Sequence, residues 1–348
     1  MKKILCLLFS FVLIVSISIP IVSASTKQLE VHFIDVGQGD ATLVKAPGGK
    51  TMLIDGGPIS SGKDVVAYLK EKGIKSLDYV VATHPDADHI GGLINVLKSI
   101  PVKNFIDSGK AHTTDTYYEM LTLIDKKNIK YHVPTAGKTY QLDSKMKVEV
   151  LYANENATEN NDASIVLKLT YNKVSFLLMG DASVGIEDAL MATSNVNATV
   201  LKAGHHGSNT SSSAKFISNV KPKVGILSYG KNNSYGHPHA AIPSRLKNVG
   251  AKVYETAKHC NIIVKTDGVE HTVTTDCKKT TAAPAPAKTT KPATKVTPIK
   301  TTKPAPKSTR TTFKNCTELR TVYPEGVAKG HAAYQSKMDR DKDGWACE

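Results

Sequence analysis

Residues 80–92 read Val80-Val81-Ala82-Thr83-His84-Pro85-Asp86-Ala87-Asp88-His89-Ile90-Gly91-Gly92, and they are the most informative segment of the sequence. Two histidines and two aspartates fall within six residues, directly after the apolar run 79–82, which is typical of a buried strand. Imidazole nitrogens and carboxylate oxygens in one loop suit Zn²⁺ or Mn²⁺. A solvated turn is the alternative, because Pro85 and the two glycines also fit a turn. Further ligand-type residues follow later strands and favour a metal site.

The N-terminal segment predicts export. Lys2 and Lys3 precede an apolar stretch over residues 4–21, and Val22-Ser23-Ala24 supplies small residues before Ser25. This order is typical of a secretory signal peptide over residues 1–24, with an uncleaved membrane anchor as the alternative. We therefore expect the mature protein to be secreted and extracellular, or associated with the cell wall.

The cysteine count agrees with an oxidising compartment. Four cysteines remain after the predicted signal peptide: Cys260, Cys277, Cys316 and Cys347. An even count in an exported protein indicates two disulfides, for which three pairings are possible. A long linker between the second and third cysteines makes Cys260–Cys277 and Cys316–Cys347 the expected pairs. A zinc site, the alternative, requires ligands that cluster more closely.

Residues 278–312 form that linker. They consist mainly of Thr, Ala, Pro and Lys, with no aromatic residue and no acid, so we expect an extended, disordered segment. The linker carries nine basic residues and the signal peptide two, so about +3 of the formal net charge of +14 remains for the folded parts. The basic charge suggests contact with an anionic cell wall or another polyanion. A simple solvated spacer is the alternative.

Residues 27–277 are long enough for one large α/β domain. Apolar patterns predict strands at 31–36, 41–45, 51–55, 79–82, 147–152, 164–169, 174–179, 198–202 and 223–228, and a hairpin that pairs 261–265 with 271–274. They predict helices at 64–72, 91–98, 117–127, 184–193, 214–220 and 242–249. Early strands follow one another as in hairpins and later strands alternate with helices, which favours two packed sheets with helices outside.

The motif His84-x-Asp86-x-Asp88-His89 resembles the signature of the metallo-β-lactamase superfamily, with Asp86 where a histidine is usual. That replacement resembles the extracellular hydrolase domain of the competence protein ComEC. Further segments match the same domain in order between about Leu29 and Val253: Val31–Asp40, Leu53–Gly57, Leu178–Asp181, Leu201–Ser208 and Tyr235–Pro238. The resemblance implies a metallo-β-lactamase αββα sandwich.

The resemblance also implies two divalent transition metals, Zn or Mn. Its ligands are the residues that match the family motif: His84, Asp86, Asp88, His89, Asp181 and His237. In this scheme Asp181 serves both ions. Asp55 supports the ligands, and Asn161 lies where the family often supplies a further histidine. An oxygen-rich first position favours Mn²⁺ more than a histidine-rich one does.

Four residues are expected to act on substrate: Asp88, His205, His206 and Ser208. Asp88 would orient water, and one histidine of the pair would bind a phosphate oxygen or protonate the leaving group. Gly207 and Ser208 are expected to open a helix whose N-terminus attracts anions. The alternative exchanges two roles, so that a histidine of this pair is a ligand and His237 faces the substrate.

Residues 313–348 resemble the excalibur domain, an extracellular calcium-binding module. The matching residues include Phe313, Cys316, Tyr334, Cys347 and the stretch 339–344, in which carboxylates alternate before a glycine as in a calcium loop. The expected Ca²⁺ ligands are Asp339, Asp341, Asp343 and Glu348. A unit this small needs both Ca²⁺ and the disulfide for stability. An acidic surface turn is the alternative.

These patterns predict a secreted, binuclear metal-dependent hydrolase. The resemblance implies a phosphodiesterase or nuclease that acts on DNA, with no stable protein partner. One alternative is a hydrolase of cell-wall phosphodiesters such as teichoic acid, or of esters or lactones. The second alternative is a wall-associated binding protein without catalysis, which the number of ligand-type residues argues against.

Overall fold

The computed structural model describes residues 28–277 and, near the C-terminus, residues 311–320, 322–323, 327–339 and 345–347. They fall into a large unit and a small C-terminal unit. The predicted signal peptide and nearly all of the predicted linker lie outside the described residues. Within those residues, no helix combines the length and apolar character needed to cross a membrane.

The large unit contains two sheets. Its strands are β1 (Leu29–Phe33), β2 (Thr42–Lys45), β3 (Thr51–Ile54), β4 (Leu77–Ala82), β5 (Val102–Asp107), β6 (Lys130–His132), β7 (Thr139–Asp143), β8 (Met146–Tyr152), β9 (Val166–Tyr171), β10 (Val174–Leu178), β11 (Val200–Lys202), β12 (Val224–Leu227), β13 (Lys252–Glu255), β14 (Asn261–Thr266) and β15 (His271–Asp276). The first sheet has the order β15-β14-β1-β2-β3-β4-β5-β6, and the second has the order β13-β12-β11-β10-β9-β8-β7.

Helices cover the outer faces of both sheets. They are α1 (Gly62–Glu71), α2 (Ala87–Ile90), α3 (Leu93–Ser99), α4 (Asp115–Lys126), α5 (Val184–Thr193), α6 (Ala214–Val220), α7 (Ala241–Asn248) and α8 (Thr256–His259). Apolar residues of α1, α3 and α4 pack with one face of the first sheet, and those of α5, α6 and α7 pack with one face of the second.

The central core lies between the sheets. It joins side chains of both sheets, among them Val31, Phe33, Val148, Leu167 and Phe176, all at most 1% exposed. Burial of apolar surface on both faces of each sheet holds the four layers together. The predicted αββα sandwich is therefore confirmed.

Parallel strands position the loops that carry polar residues. In the first sheet β3, β4 and β5 run parallel, and in the second β10, β11 and β12 do so. The carboxyl ends of parallel strands meet at one edge, where ligands bind in open α/β sheets. Asp55 and His84 follow β3 and β4, while Asp181 and His206 follow β10 and β11.

Some elements were not predictable from apolar patterns. The sequence does not predict β5, β6, β7 or β13. Strands β6, β7 and β13 lie at sheet edges, where exposed polar residues interrupt the pattern. Strand β5 is polar in its first half and buried only in its second. The predicted helix 91–98 is preceded by α2, a separate turn that carries His89.

A close backbone contact explains two glycine pairs. Gly92 N donates to Gly57 O at 2.7 Å, and Gly56 N donates to His89 O at 2.7 Å. A Cβ atom on Gly92 would lie 1.9 Å from Gly56 O. Only glycine therefore lets the loop after β3 reach the start of α3.

The C-terminal unit contains α9 (Cys316–Arg320) and the paired strands β16 (Val327–Ala328) and β17 (Trp345–Ala346). Both expected disulfides form: Cα atoms are 4.9 Å apart in Cys260–Cys277 and 5.0 Å apart in Cys316–Cys347. Asp339 is buried and accepts a hydrogen bond from the Tyr334 hydroxyl. The other expected calcium ligands, Asp341, Asp343 and Glu348, lie outside the described residues.

Candidate metal centre

His84 and His89 form the base of the site. His84 follows β4 and His89 lies on α2, and both side chains are completely buried. Their ring centroids are 4.1 Å apart. Two imidazoles in contact within a polar buried space are a common arrangement around metal ions.

One carboxylate, Asp55, fixes the orientation of both rings. Its Oδ2 accepts from His89 Nδ1 at 2.9 Å and from the Thr83 hydroxyl at 2.8 Å. Because Thr83 Oγ1 donates to Asp55, it can only accept from His84 Nδ1, which lies 3.0 Å away. Both Nδ1 atoms therefore carry the proton, and both Nε2 atoms keep a lone pair for a cation.

His206 adds a third imidazole on an unusual turn. Both His205 (φ 47°) and His206 (φ 53°) adopt the left-handed conformation, which is uncommon for residues other than glycine. His206 Nδ1 donates to Ser228 O at 3.0 Å, so its Nε2 also keeps a lone pair. That Nε2 lies 3.2 Å from Asp88 Oδ2 and 3.3 Å from His89 Nε2.

Asp181 lies against this group. Its Oδ2 is 3.4 Å from His89 Nε2 and 3.2 Å from His206 Nε2. Its backbone N–H donates to Ser164 Oγ at 3.0 Å, which holds the residue in place. Its Oδ1 is buried and has no hydrogen-bond partner among the described residues. The carboxylate is thus aimed at the space between the histidines.

Asp86 lies on the other side of His84. Its Oδ2 is 3.4 Å from His84 Nε2, and its Oδ1 accepts from Asn160 Nδ2 at 2.6 Å. The supporting amide is therefore Asn160, whereas the predicted Asn161 lies in the adjoining short 3₁₀ turn. Asp86 and Asp88 are each about a third exposed, so this side of the centre faces solvent.

A buried ion pair lies beside the centre. Lys202 Nζ donates to Asp40 Oδ2 and, at 3.1 Å, to Gly180 O, and it is 3.9 Å from Asp181 Oδ1. Burial lowers the pKa of Lys202, but the carboxylates of Asp40 and Asp181 outweigh this effect and raise it above its ordinary value. The ammonium group is therefore a permanent positive charge next to the site.

The donor set follows from the hydrogen bonds. Asp40, His89, Asp181 and His206 each offer one ligand atom within 4.8 Å of the others. However, Asp40 Oδ1 lies 3.7 Å from Nδ1 of His206, the nitrogen already used by a carbonyl, so Asp40 is on the far side of that ring. Asp88, which approaches Nε2, is the better placed carboxylate.

The electrostatics favour a cation. Burial lowers the pKa of His206, but Asp181 and Asp88 outweigh it and raise that pKa to about 10. Burial also lowers the pKa of His89, but the carboxylates of Asp181, Asp55 and Asp88 outweigh it and raise that pKa well above its usual value. Protons on the two rings balance the carboxylates when no ion is bound. A divalent cation would replace these protons.

The rim contains two further histidines. Burial lowers the pKa of His205, and burial with the nearby histidines lowers that of His237 to about 4. His205 Nε2 is 3.9 Å from Asp181 Oδ2. The His237 ring is farther out, with its centroid 6.1 Å from that of His206. The structure thus brings His206, rather than the predicted His237, next to the carboxylates.

The prediction that Gly207 and Ser208 open a helix is wrong. Residues 205–207 form a short 3₁₀ turn, and α6 begins only at Ala214. The amides of Ser212 and Ser213 before α6 already donate to the buried carboxylate of Glu187. Ser208 is buried, and its hydroxyl accepts from the Thr210 hydroxyl at 3.0 Å. No helix N-terminus therefore attracts anions at Ser208.

The residues present fit transition metals. His84 Nε2 and Asp181 Oδ1 are buried acceptor atoms without hydrogen-bond partners among the described residues, and unpaired buried acceptors are costly unless a cation is bound. Nitrogen and carboxylate donors suit Zn²⁺ and Mn²⁺. The arrangement can hold cations and orient water beside them.

Family comparisons agree with this geometry. The family model described as "Metallo-beta-lactamase superfamily" matches residues 34–231, more than half of the chain. The chain belongs to the metallo-beta-lactamase superfamily. A second model, the Excalibur calcium-binding domain, matches residues 313–348. Both resemblances predicted from the sequence are confirmed, and the fold with its candidate metal group supports a metal-dependent hydrolase.

Competence proteins are among its relatives. The chain is 32% identical over 252 residues to ComE operon protein 3 of Bacillus subtilis (strain 168), which covers 67% of this chain and 32% of that protein. It is 31% identical over 226 residues to competence protein ComA of Neisseria gonorrhoeae, covering 64% of this chain and 30% of that protein. The chain thus spans about a third of the length of these relatives.

Two other matches are more limited. The chain is 73% identical over 37 residues to the SPbeta prophage-derived endonuclease YokF of Bacillus subtilis (strain 168), covering 11% of this chain and 12% of that protein. Among solved structures, Igni18, a metallo hydrolase from the archaeon Ignicoccus hospitalis, superimposes with a TM-score of 0.43 at 15% identity. That superposition covers 67% of the present chain and 98% of Igni18.

Proposed function

We propose that this chain is an exported, binuclear metal-dependent phosphodiesterase that acts on DNA. The observation that carries the proposal is the pair of adjoining donor groups where strand ends of the two sheets come together. His84 and Asp86 form one group, and Asp88, His89 and His206 form the other. The rings of His84 and His89, one from each group, are only 4.1 Å apart. Cations held by such groups would be near enough to act on one phosphate.

In this proposal each residue has a role. His84 and Asp86 would hold the first ion. Asp88, His89 and His206 would hold the second, and Asp181 would supply its carboxylate to the same centre. His206 thus takes the ligand position that the sequence assigned to His237, because its Nε2 is 3.2 Å from both Asp88 and Asp181.

The remaining residues act on the substrate. Two divalent cations at these positions would lower the pKa of water and stabilise negative charge on the phosphoryl oxygens. Asp88 is partly exposed and can orient water for attack. His205 Nδ1 lies 2.8 Å from Thr210 Oγ1. Because that hydroxyl donates to Ser208, it accepts from His205, whose Nε2 can then take a proton from the centre.

DNA is the proposed substrate because the relatives include competence proteins. Teichoic acid is the principal alternative, since it contains the same phosphodiester group and would meet an exported enzyme at the cell wall. Lactones and other esters are the alternatives that lack phosphorus.

The chain's location and calcium module are part of the proposal. The signal-like segment over residues 1–24 would direct export, with Zn or Mn acquired by the folded enzyme. The nine basic residues of segment 278–312 would bring the enzyme to the anionic cell wall. The Excalibur domain would bind Ca²⁺ through Asp339, Asp341, Asp343 and Glu348.

A substrate panel tests the proposal. The full chain is depleted of metal with EDTA, dialysed, and supplied with Mn²⁺ or Zn²⁺ before incubation with linear DNA, teichoic acid or a lactone. Cleavage of DNA that requires the metal is expected. The Asp181→Asn variant should lose this activity, whereas Asp188→Asn, an exposed acid on α5, should not. Cleavage of teichoic acid or lactone alone would reassign the substrate, and activity that resists EDTA would contradict the metal requirement.

A further inference from the structure

An exposed loop adjoins the metal centre. Residues 230–237 follow β12 and lie at the same sheet edge as His206, because β12 runs parallel to β11. Gly230 N donates to Gln38 Oε1 at 3.2 Å, which ties the loop to the segment before Asp40. Residues 231, 232 and 234–236 are exposed, so the loop forms part of the surface that a substrate would meet.

A single side chain, Asn233, holds this loop in shape. Its Nδ2 donates to Gly230 O at 2.9 Å and to His237 O at 2.7 Å. Its Oδ1 accepts from Tyr235 N at 3.1 Å and from His237 N at 3.0 Å. One amide thus cross-links both ends of the loop. The conformation is set before any ligand binds, which lowers the entropic cost of binding.

Tyr235 is the aromatic residue on this rigid loop. Its ring stacks on His237, with centroids 5.5 Å apart and planes inclined by 22°, and the residue is 45% exposed. The His237 ring lies 5.5 Å from His205 and 6.1 Å from His206. A continuous series of rings therefore leads from the solvent-exposed Tyr235 to the donor atoms of the centre.

We propose that Tyr235 stacks on the nucleobase beside the scissile phosphate and so determines specificity for nucleic acid over phosphodiesters without bases. This inference rests on the proposed function, because it presumes a phosphodiester at the centre. Aromatic side chains bind bases of any sequence through their faces. The exposed Lys231 in the same loop supplies a positive charge for a neighbouring phosphate. Teichoic acid contains no nucleobase that could stack on such a platform.

The test compares two single-stranded oligonucleotides of equal length, one normal and one abasic at the positions around the cleavage site. Full-length parent, Tyr235→Ala and Tyr235→Phe are assayed with Mn²⁺ for kcat and KM. Tyr118→Ala is the matched control, because Tyr118 is 56% exposed on α4, a helix that packs on the other sheet. A 2-aminopurine oligonucleotide, whose fluorescence is quenched on stacking, reports binding separately in Ca²⁺.

We expect Tyr235→Ala to lower kcat/KM on the normal oligonucleotide by about 5- to 150-fold, mainly through KM, and to leave the abasic one unchanged. Tyr235→Phe should restore activity and quenching, and Tyr118→Ala should behave as the parent. Equal losses on both oligonucleotides, or no loss on either, would overturn the proposal. If the parent cleaves neither oligonucleotide, the phosphodiesterase assignment fails. In that case the fluorescence experiment tests stacking separately. Loss of quenching in Tyr235→Ala would support stacking on Tyr235. Quenching that persists in Tyr235→Ala would refute it.

Discussion

Asp55 shows how much of the centre depends on one residue. It has φ 58°, a conformation that asparagine also tolerates, and its oxygens accept from Thr83 and His89. Asp55→Asn keeps the shape but replaces one acceptor with an amide that donates. We expect about 10- to 100-fold weaker Mn²⁺ binding, measured by calorimetry, with an unchanged circular dichroism spectrum.

A second variant separates the two halves of this network. Thr83→Val removes the hydroxyl between Asp55 and His84 but leaves the His89 contact intact. It should weaken Mn²⁺ binding at the position of His84 and leave Mn²⁺ binding at the position of His89 unchanged. Unaltered affinity in both variants would mean that Asp55 does not orient the proposed ligands.

The pH dependence of metal binding follows from the protonated histidines. The pKa of His206 is raised to about 10 without an ion, and that of His89 is raised as well. Both must release protons before Nε2 can bind a metal, so affinity should rise as pH increases from about 6 to about 8. Calorimetry in buffers of different ionisation enthalpy should detect the released protons. An affinity that stays flat over this range would contradict the proposed ligands.

Some of the candidate site residues could be predicted from the sequence and others could not. The motif from His84 to His89 is visible because four ligand types fall within six residues. The sequence left a ligand role for His205 or His206 in place of His237 as an alternative, and the proposed choice of His206 depends on a left-handed turn and on the carbonyl of Ser228. Asp40 and Lys202 pair across 162 residues, and neither is unusual in its local sequence.

At the scale of elements, the site depends on close backbone packing. Gly92 has φ −68°, so its requirement for glycine comes from the contact with Gly56 O and not from its conformation. Gly92→Ala should destabilise the large unit by about 1–3 kcal/mol through overpacking. Gly185→Ala in α5 is the matched control, because its Cβ would lie no closer than 3.6 Å to its nearest neighbour.

Chemical denaturation of the two variants makes the comparison. Gly185→Ala should be neutral or stabilising by up to about 1 kcal/mol, since glycine disfavours helices. Equal stability of Gly92→Ala and the parent would contradict the proposed close contact.

The predictable elements were those with continuous apolar runs, whereas edge strands β6 and β7 depend on partners that their own sequences do not reveal.

For the whole molecule, the C-terminal unit should fold only with Ca²⁺ and an intact Cys316–Cys347 bond. Its core is small, and the expected ligand carboxylates would repel one another without a cation. Limited proteolysis of the full chain should degrade this unit when Ca²⁺ is chelated or the disulfide is reduced, and should leave it as an intact fragment when both are present. Hydrolysis of small phosphodiesters should not change. Protection that ignores millimolar Ca²⁺ would show that residues 339–344 form only an acidic turn.

The predicted domain order of the molecule rests on the change in composition at each boundary. The resemblance to two families came from motifs, and both families were confirmed. The activity of the whole is harder to predict, since the competence relatives are about three times longer than the matched region. The match alone does not assign the functions of these complete proteins to this chain.

The most direct test of the central claim is the number of Mn²⁺ ions bound per chain. Equilibrium dialysis followed by elemental analysis is carried out in excess Ca²⁺, which occupies the C-terminal module. We predict about two Mn²⁺ per parent chain and fewer than about one in Asp181→Asn, because the proposal assigns Asp181 to both positions. Equal Mn²⁺ content in parent and variant, or none in the parent, would contradict a binuclear centre built around Asp181.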